Sequence, residues 1–259
     1  MPKAVEAKSK SRRHDAILAE LRASPAIRIV DLAATHGVST ETIRRDLDEL
    51  SAAGLISRTY GGATGAPLAS EPLLDERYRT KQSQRLVLAK AVVPLIRDGD
   101  SLMIDAGATT IYVAGRLAAE CHDLTVVTNS FGVASALAAN PSFHIRVCPG
   151  EYDPRDGGVG GPDTISYLSQ FHVTHAVTSA TRLDADGPSD VNSASVSIKR
   201  IMIKQAAQTI LVLDHEKLDR PAFERICPLS EIDRLVIDHP PPAALAKALK
   251  RANVAVHLP

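Results

Sequence analysis

"VSTETIRRDLDEL", Val38 to Leu50, is the stretch on which the reading of this chain turns. Ile43, Leu47 and Leu50 recur at i, i+4 and i+7, one apolar stripe of a helix. At about 100° per residue, Glu41, Arg44, Arg45 and Asp48 fall on the opposite side. Ser39 is a good N-cap, the helix runs to about Ala53, and Gly54 closes it as a C′ residue. Upstream, Ile29, Leu32 and Ala33 begin a short helix, and His36-Gly37-Val38 is a tight turn in which Gly suits a positive φ. A still earlier helix carries Ile17, Leu18 and Leu21 and fades near Ser24-Pro25. Downstream, "LISRTYGGA", Leu55 to Ala63, reads as a strand, a turn at Gly61-Gly62 and a return.

Two short helices around a Gly-bearing turn, followed by such a wing, form the winged helix-turn-helix pattern, whose second helix lies in the DNA major groove. The groove accepts a helix whose outer face carries donors. Arg44 and Arg45 suit guanine edges or phosphate, because a guanidinium pairs bidentately with either. Ser39, Thr40 and Thr42 at the helix start, with Glu41 among them, stand where hydroxyls and free backbone N–H groups meet phosphates. Arg58, Tyr60, Gly61 and Gly62 would be the wing on the adjacent backbone. Glu41–Arg45 and Arg44–Asp48 are also i, i+4 pairs of the kind that merely solvate a surface. The cap, turn and wing around them favour operator DNA.

The 259 residues, 44% hydrophobic, allow one large or two modest domains. Thirty basic and thirty acidic residues cancel, so no global field commits the chain to nucleic acid or membrane. Lys3, Lys8, Lys10, Arg12 and Arg13 make a locally basic N-terminal arm. No apolar run nears the roughly 18 residues that span a bilayer, and no apolar signal core opens the chain, so a cytoplasmic, nucleoid-associated protein is expected. Cys121, Cys148 and Cys227 show neither disulfide nor zinc spacing, and the nine His show no H-x-x-x-H pair. No metal and no cofactor are expected.

"ATGAPLASEP", Ala63 to Pro72, is a linker by composition. Beyond it, "SLMID", "LTVVTN", "HIRVC", "HAVTSA", "TILVLD", "RLVID" and "VAVHL" are short β-rich runs, with helical patterns between most of them. That alternation predicts an α/β, Rossmann-like, mostly parallel sheet covered on both faces. The expected organisation is an arm over 1–11, a winged helix-turn-helix over 12–62, a linker over 63–75 and an effector domain over 76–259.

Ligands of parallel sheets gather at the C-terminal ends of strands. "DAGATT" (Asp105, Ala106, Gly107, Ala108, Thr109, Thr110) follows one strand and opens a helix, where free N–H groups suit an anion. Thr128 and Asn129 end the next strand. "PGEYDPRDGGVGG", Pro149 to Gly161, is expected to be a long flexible loop, with Gly150 and Arg155 facing the ligand. Lys217 follows a later strand, and Lys199 and Arg200 are further cations.

"RIVDLAATHGVSTETIRRDLDELSAAGLISRTYGGA" resembles the DNA-binding domain of DeoR-family bacterial repressors. Arg28 stands where that family often has a capping Ser, and Tyr60 replaces the usual wing His. The resemblance continues through "DAGATT", "VVTNS", "IKRIM" and "DHEKL", and "GPSDVNSASV" with Phe223-Glu224-Arg225 looks most like the glycerol-phosphate repressor branch. It implies a fold related to ribose-phosphate isomerases and CoA transferases, and a pocket for a phosphorylated sugar or polyol. Ala108 replaces a loop Thr, Ser195 a Glu, Glu216 a Ser and Arg85 a Lys, so the sugar end of such a pocket is altered more than the phosphate end. The resulting expectation is a repressor acting as a dimer or tetramer. The alternative is a phosphosugar isomerase-like enzyme, which needs a positioned carboxylate base. Asp105, Glu151, Asp153 and Asp190 are candidates, and none forms a convincing acid/base pair by sequence.

Overall fold

Burial bears out the stripe: Ile43 and Leu47 are 0% exposed and Leu50 is 3% exposed. The computed structural model describes residues 10, 13–14, 16–18, 20, 26–52, 56–59, 61–65, 74–219 and 221–259. The chain divides into two compact units, Met1–Ser70 and Glu71–Pro259.

The first unit contains β1 (Ala26–Arg28), α1 (Ile29–His36), α2 (Thr40–Ala52), β2 (Ile56–Thr59) and β3 (Gly62–Gly65). Its core joins Ile17 to Ile29 and Leu32 of α1, Ile43, Leu47 and Leu50 of α2, and Ile56 of β2. Gly37 ends α1 at φ 63°, and its N–H returns to the Ala33 carbonyl. Arg28 starts α1 without a side-chain cap. Ser39 does cap α2: its Oγ accepts from the Thr42 N–H at 3.1 Å. The wing has a third strand that periodicity did not announce, since β1 pairs antiparallel with β3 in the order β1-β3-β2. The turn falls one residue earlier than expected, and Gly62 already belongs to β3. A Cβ on Gly62 would stand 2.0 Å from the Ile27 carbonyl oxygen, so this glycine is required by the close approach of β1. Tyr60, Gly54, the 66–73 part of the expected linker and most of the N-terminal arm lie outside the described residues; of Arg58 only the backbone, within β2, is described.

Asp46, directly after the outward arginines, is 1% exposed. Arg13 clasps it with Nε at 2.5 Å and Nη2 at 3.0 Å, and His14 Nε2 lies 3.1 Å away. Burial pushes the Asp46 carboxyl up, but the hydrogen bonds and charges of Arg13 and His14 outweigh it and hold it below its usual value. Asp46→Asn removes the counter-charge of Arg13 and one of the two oxygens it clasps, and should destabilise the first unit by about 3 kcal/mol. Because the folded-state carboxyl is lowered, its contribution is complete above the usual value of 3.8 and is lost as pH falls through the lowered one. Thermal melts from pH 7 downward should therefore converge for wild type and Asp46→Asn in strong acid; a gap that stays constant would refute the assignment.

The second unit contains α3 (Leu74–Arg79), α4 (Gln82–Val92), β4 (Ser101–Ile104), α5 (Ala108–Glu120), β5 (Thr125–Thr128), α6 (Phe131–Leu137), β6 (His144–Val147), β7 (Glu151–Asp153), β8 (Gly158–Gly160), α7 (Pro162–Leu168) and β9 (Val173–Thr178). It continues with β10 (Arg182–Asp184), β11 (Gly187–Asp190), α8 (Ser193–Lys204), β12 (Ala206–Leu213), β13 (Glu224–Arg225), β14 (Arg234–Ile237), α9 (Ala243–Arg251) and β15 (Ala255–His257). The seven apolar runs become one parallel sheet, order β15-β14-β12-β9-β4-β5-β6. Apolar clusters cover it: Ile104, Val126 and Val212 pack with Val113 and Leu117 of α5 and Leu88 of α4, while Met103 and Ala176 pack with Ile198 and Met202 of α8. β10, β11 and β13 form a small antiparallel sheet beside it.

The expected flexible loop over Pro149 to Gly161 is instead an ordered hairpin, β7 with β8. It is pinned to the end of β5, because the Val159 N–H donates to the Asn129 carbonyl at 2.7 Å and Asn129 Nδ2 donates to the Val159 carbonyl at 2.9 Å. A Cβ on Gly158 would lie 2.6 Å from that of Ala106, so the glycine run is there for close packing rather than mobility. Cys121, Cys148 and Cys227 are free and buried. Among the described residues no helix is long and apolar enough to cross a membrane.

Candidate functional site

Two surfaces carry the chemistry read from the sequence, one in each unit. In the first, Arg44 and Arg45 point outward with side chains 59% and 77% exposed. Their neighbour is Glu41, with a carboxylate oxygen 3.9 Å from Arg44 and another 3.4 Å from Arg45. Exposed pairs of this length contribute little in water, so both guanidinium groups can exchange Glu41 for a phosphate or a base edge. Ser39 and Thr42 are engaged in the cap, their hydroxyls 2.9 Å apart, and Thr40 is exposed. Among the described residues, four consecutive positions divide cleanly: 44 and 45 face solvent, while 46 and 47 are buried.

In the second unit, β4, β5, β9 and β12 end side by side, and the segments after them converge. α5 starts at Ala108 with Gly107 at its N-cap. The turn is rigid. Thr110 Oγ donates to the carbonyls of Asp105 and Gly107 at 2.8 and 2.9 Å, and Thr128 Oγ donates to the Ile104 carbonyl at 2.7 Å. Those two hydroxyls, expected as ligand donors, are thus spent on the scaffold, and Thr109 is 5% exposed. What the turn still offers is backbone N–H groups at the start of a thirteen-residue helix.

Behind the turn lies a charge cluster that sequence reading missed as a unit. Lys199 of α8 is buried, with Nζ 2.5 Å from Asp190 and 3.4 Å from Asp105. Asp105 Oδ2 also accepts from Thr178 Oγ at 2.8 Å and from the Ser179 N–H at 3.3 Å. Burial raises the Asp105 carboxyl, and the more distant Lys199 offsets this only in part. Burial also acts upward on Asp190, but the charge and hydrogen bond of Lys199 prevail and bring it to about 2. Lys199 is desolvated, which lowers it, yet the two carboxylates outweigh this and hold it firmly charged. Its positive charge is already matched inside the protein, so it is not a spare cation for a ligand. The one signal in the sequence was that Asp105 directly follows the apolar run of β4; Asp190 ends the polar strand Gly187–Asp190 and gave none.

Two buried acceptors near this cluster, Asp105 Oδ1 and Asn129 Oδ1, have no partner among the described residues. Asn129 lines a cavity of about 30 Å³ together with Asp153, Asp156, Gly158, Ser195 and Ile198. Ser195 Oγ donates to Asp156 at 2.5 Å, and Arg77 stands 3.1 Å from the other oxygen of that carboxylate. Lys217 reaches the same region from another side, its Nζ donating to the Ala180 carbonyl at 2.9 Å. Ser179, next in sequence, sits close to Gly107, where an added Cβ would lie 3.1 Å from its Oγ. Gly150 and Arg155 are not brought in: Gly150 is packed against Thr164 and the Gly160 backbone, and Arg155 is exposed on the hairpin turn.

Lys199→Met leaves Asp105 and Asp190 facing each other without a counter-charge. It should destabilise the second unit by about 3–5 kcal/mol, and adding Asp190→Asn should restore part of the loss. Asp190 is held at about 2, below its usual 3.8, so its contribution persists through mild acid and disappears only as pH approaches 2. Urea unfolding of the single and double variants checks both statements; a double variant no more stable than the single would remove the coupling.

A model of the DeoR-like helix-turn-helix domain matches residues 13–66, and one of the DeoR C terminal sensor domain matches residues 80–239. The HTH-type transcriptional repressor CsqR of Escherichia coli (strain K12) is 34% identical over 250 residues, 95% of each chain. The glycerol-3-phosphate regulon repressor of the same organism is 30% identical over 249 residues, 96% of this chain and 98% of its own. Among solved structures, a D-ribose-5-phosphate isomerase in complex with phospho-erythronic acid aligns at 19% identity and a TM-score of 0.41, over 53% of this chain and 54% of its own.

Proposed function

Because this chain belongs to the DeoR family of DNA-binding transcriptional regulators and is not an enzyme, we propose that it represses a carbohydrate or polyol catabolic operon and is released by a phosphorylated sugar or polyol. The observation that carries the DNA half is the pair Arg44 and Arg45, held outward by a capped helix whose next residue, Asp46, is clamped inside. Thr40, Glu41 and the wing residues Arg58, Tyr60, Gly61 and Gly62 complete the DNA face in this reading. One Arg reads bases and the other holds phosphate. Operators of this kind are two-fold repeats, so the working form is a dimer or tetramer, acting in the cytoplasm on the nucleoid. The arm over 1–11 precedes the DNA-binding domain, which extends through β3 to Gly65; the expected linker over 63–75 narrows to 66–73, and the effector domain begins with α3 at Leu74 rather than at 76.

Alanine at the base-reading Arg should cost about 1–3 kcal/mol and relax specificity at one position. Alanine at the phosphate-holding Arg should weaken all sequences alike and flatten the salt slope by about one unit. Fluorescence anisotropy on operator and scrambled duplexes separates the two; undiminished operator binding by the double variant would refute the assignment.

The effector's phosphate sits on the N–H groups of the Gly107–Thr110 turn, with Lys217 supplying a full positive charge, and Asn129 Oδ1 accepts from a hydroxyl of the carbon chain. The support is the helix start at Gly107, a lysine whose hydrogen bond among the described residues goes to the Ala180 carbonyl, one residue after the Ser179 that packs near Gly107, and a buried acceptor with no partner among the described residues. A dianion leaving water needs such donors and a compensating charge. The phosphate ester should therefore bind far more tightly than the free sugar, and Lys217→Ala should lose roughly 1.5–3 kcal/mol of effector binding while leaving effector-free operator affinity unchanged. Calorimetry giving equal affinities for ester and free sugar would overturn this reading.

A further inference from the structure

β12 and β14 are neighbours in the sheet, Leu213 opposite Ile237, so the residues that follow each emerge together. His215 follows β12, and Asp238 and His239 follow β14. The Nδ1 atoms of both histidines point at the same oxygen, Oδ2 of Asp238, at 2.9 and 3.2 Å. The two rings stand 4.1 Å apart between centroids. The other carboxylate oxygen is held by the His215 backbone N–H at 2.7 Å, which fixes the carboxylate plane. One ligand atom from each residue lies within 4.8 Å of the others. The carboxylate is 5% exposed and the His239 side chain 61%, so solution reaches the cluster from the His239 side.

Both Nδ1 atoms thus converge on one carboxylate oxygen, from rings tilted by 51° to each other. The same convergence suits a coordination sphere. Donors bound tetrahedrally at about 2.0–2.1 Å from a metal stand about 3.3 Å from one another, close to the two nitrogen–oxygen spacings of 2.9 and 3.2 Å. Two imidazoles and a carboxylate form a borderline donor set, suited to zinc and its neighbours rather than to magnesium or calcium, which take oxygen ligands.

We propose that His215, Asp238 and His239 bind one divalent transition-metal ion of the zinc type, with solvent completing the coordination. Among the described residues, none of the three belongs to the DNA face or to the Gly107–Thr110 turn, so the site does not depend on the effector reading. Its ion would tie the end of β12 to that of β14 at the one-turn 3₁₀ segment His215–Lys217, which also carries Lys217. The histidine spacing gave no warning because the ligands come from two strand ends that only the sheet order makes adjacent.

The test uses the full chain without an affinity tag, stripped with EDTA and titrated with zinc chloride by calorimetry, and with cobalt chloride by visible absorption. The expected result is one zinc per chain, d–d bands of cobalt bound by nitrogen and oxygen donors, and a rise in Tm that EDTA reverses. His239→Ala, at an exposed position that should leave folding intact, weakens zinc binding at least tenfold, while His122→Ala, an exposed histidine before β5 and outside the cluster, leaves it unchanged. Absence of binding to the wild-type chain overturns the proposal, as does unaltered affinity and stoichiometry in His239→Ala.

Discussion

Lys199, buried with its ammonium between Asp190 and Asp105, is the contact on which the arrangement of the second unit's strand ends depends. Removing three charges from water is unfavourable by several kcal/mol per ion, and only close, well-aligned partners offset it. The requirement fixes where α8 lies relative to β4 and β11. Asp105 then has no freedom to move, and its second set of contacts, to Thr178 and the Ser179 N–H, sets the loop after β9. That loop presents the Ala180 carbonyl on which Lys217 rests. A single ion cluster thus determines the positions of the helix start, the loop and the lysine assigned here to the effector. The unequal distances also explain why the two carboxylates differ: the nearer one, Asp190, carries its charge easily, and the more deeply desolvated Asp105 does so less readily.

The first unit uses the same device on a smaller scale. Arg13 and His14 grip Asp46 from the neighbouring segment and lock α2 against rotation about its own axis. A helix that could roll by one residue would exchange Arg45 for Asp46 on the outer face and present a carboxylate to a polyanion. The buried ion pair and the Ile43–Leu47–Leu50 stripe act together against that error, one by charge and the other by apolar burial. Such a pair contributes orientation more than stability, since its own desolvation consumes most of its Coulombic gain.

Packing also explains glycines that the sequence suggested for a flexible loop (Gly158) or a turn (Gly62). Gly158 lets β8 lie against Ala106 and Asn129, and Gly62 lets β3 lie against β1, so both mark close backbone approach. The hairpin over the β5 end forms one wall of the small cavity that Asn129 faces. Ser195, on another wall and without a carboxylate of its own, donates to Asp156, which Arg77 neutralises from the other side.

Local periodicity determined much of this protein from sequence alone. The seven apolar runs are the seven strands of the parallel sheet, the i, i+4, i+7 stripe is the buried face of α2, and Gly37 and Ser39 mark the turn and cap where the sequence placed them. These features depend on residues within a few positions of one another, so a linear reading reaches them. What tertiary structure alone decided are the pairings of distant polar groups. They include Arg13 with Asp46, Lys199 with Asp105 and Asp190, the β7–β8 hairpin on Asn129, and His215 with Asp238 and His239. Each follows from which strand ends and helix faces the fold makes adjacent, and a charge or hydrogen bond leaves no period in the sequence by which its partner is found.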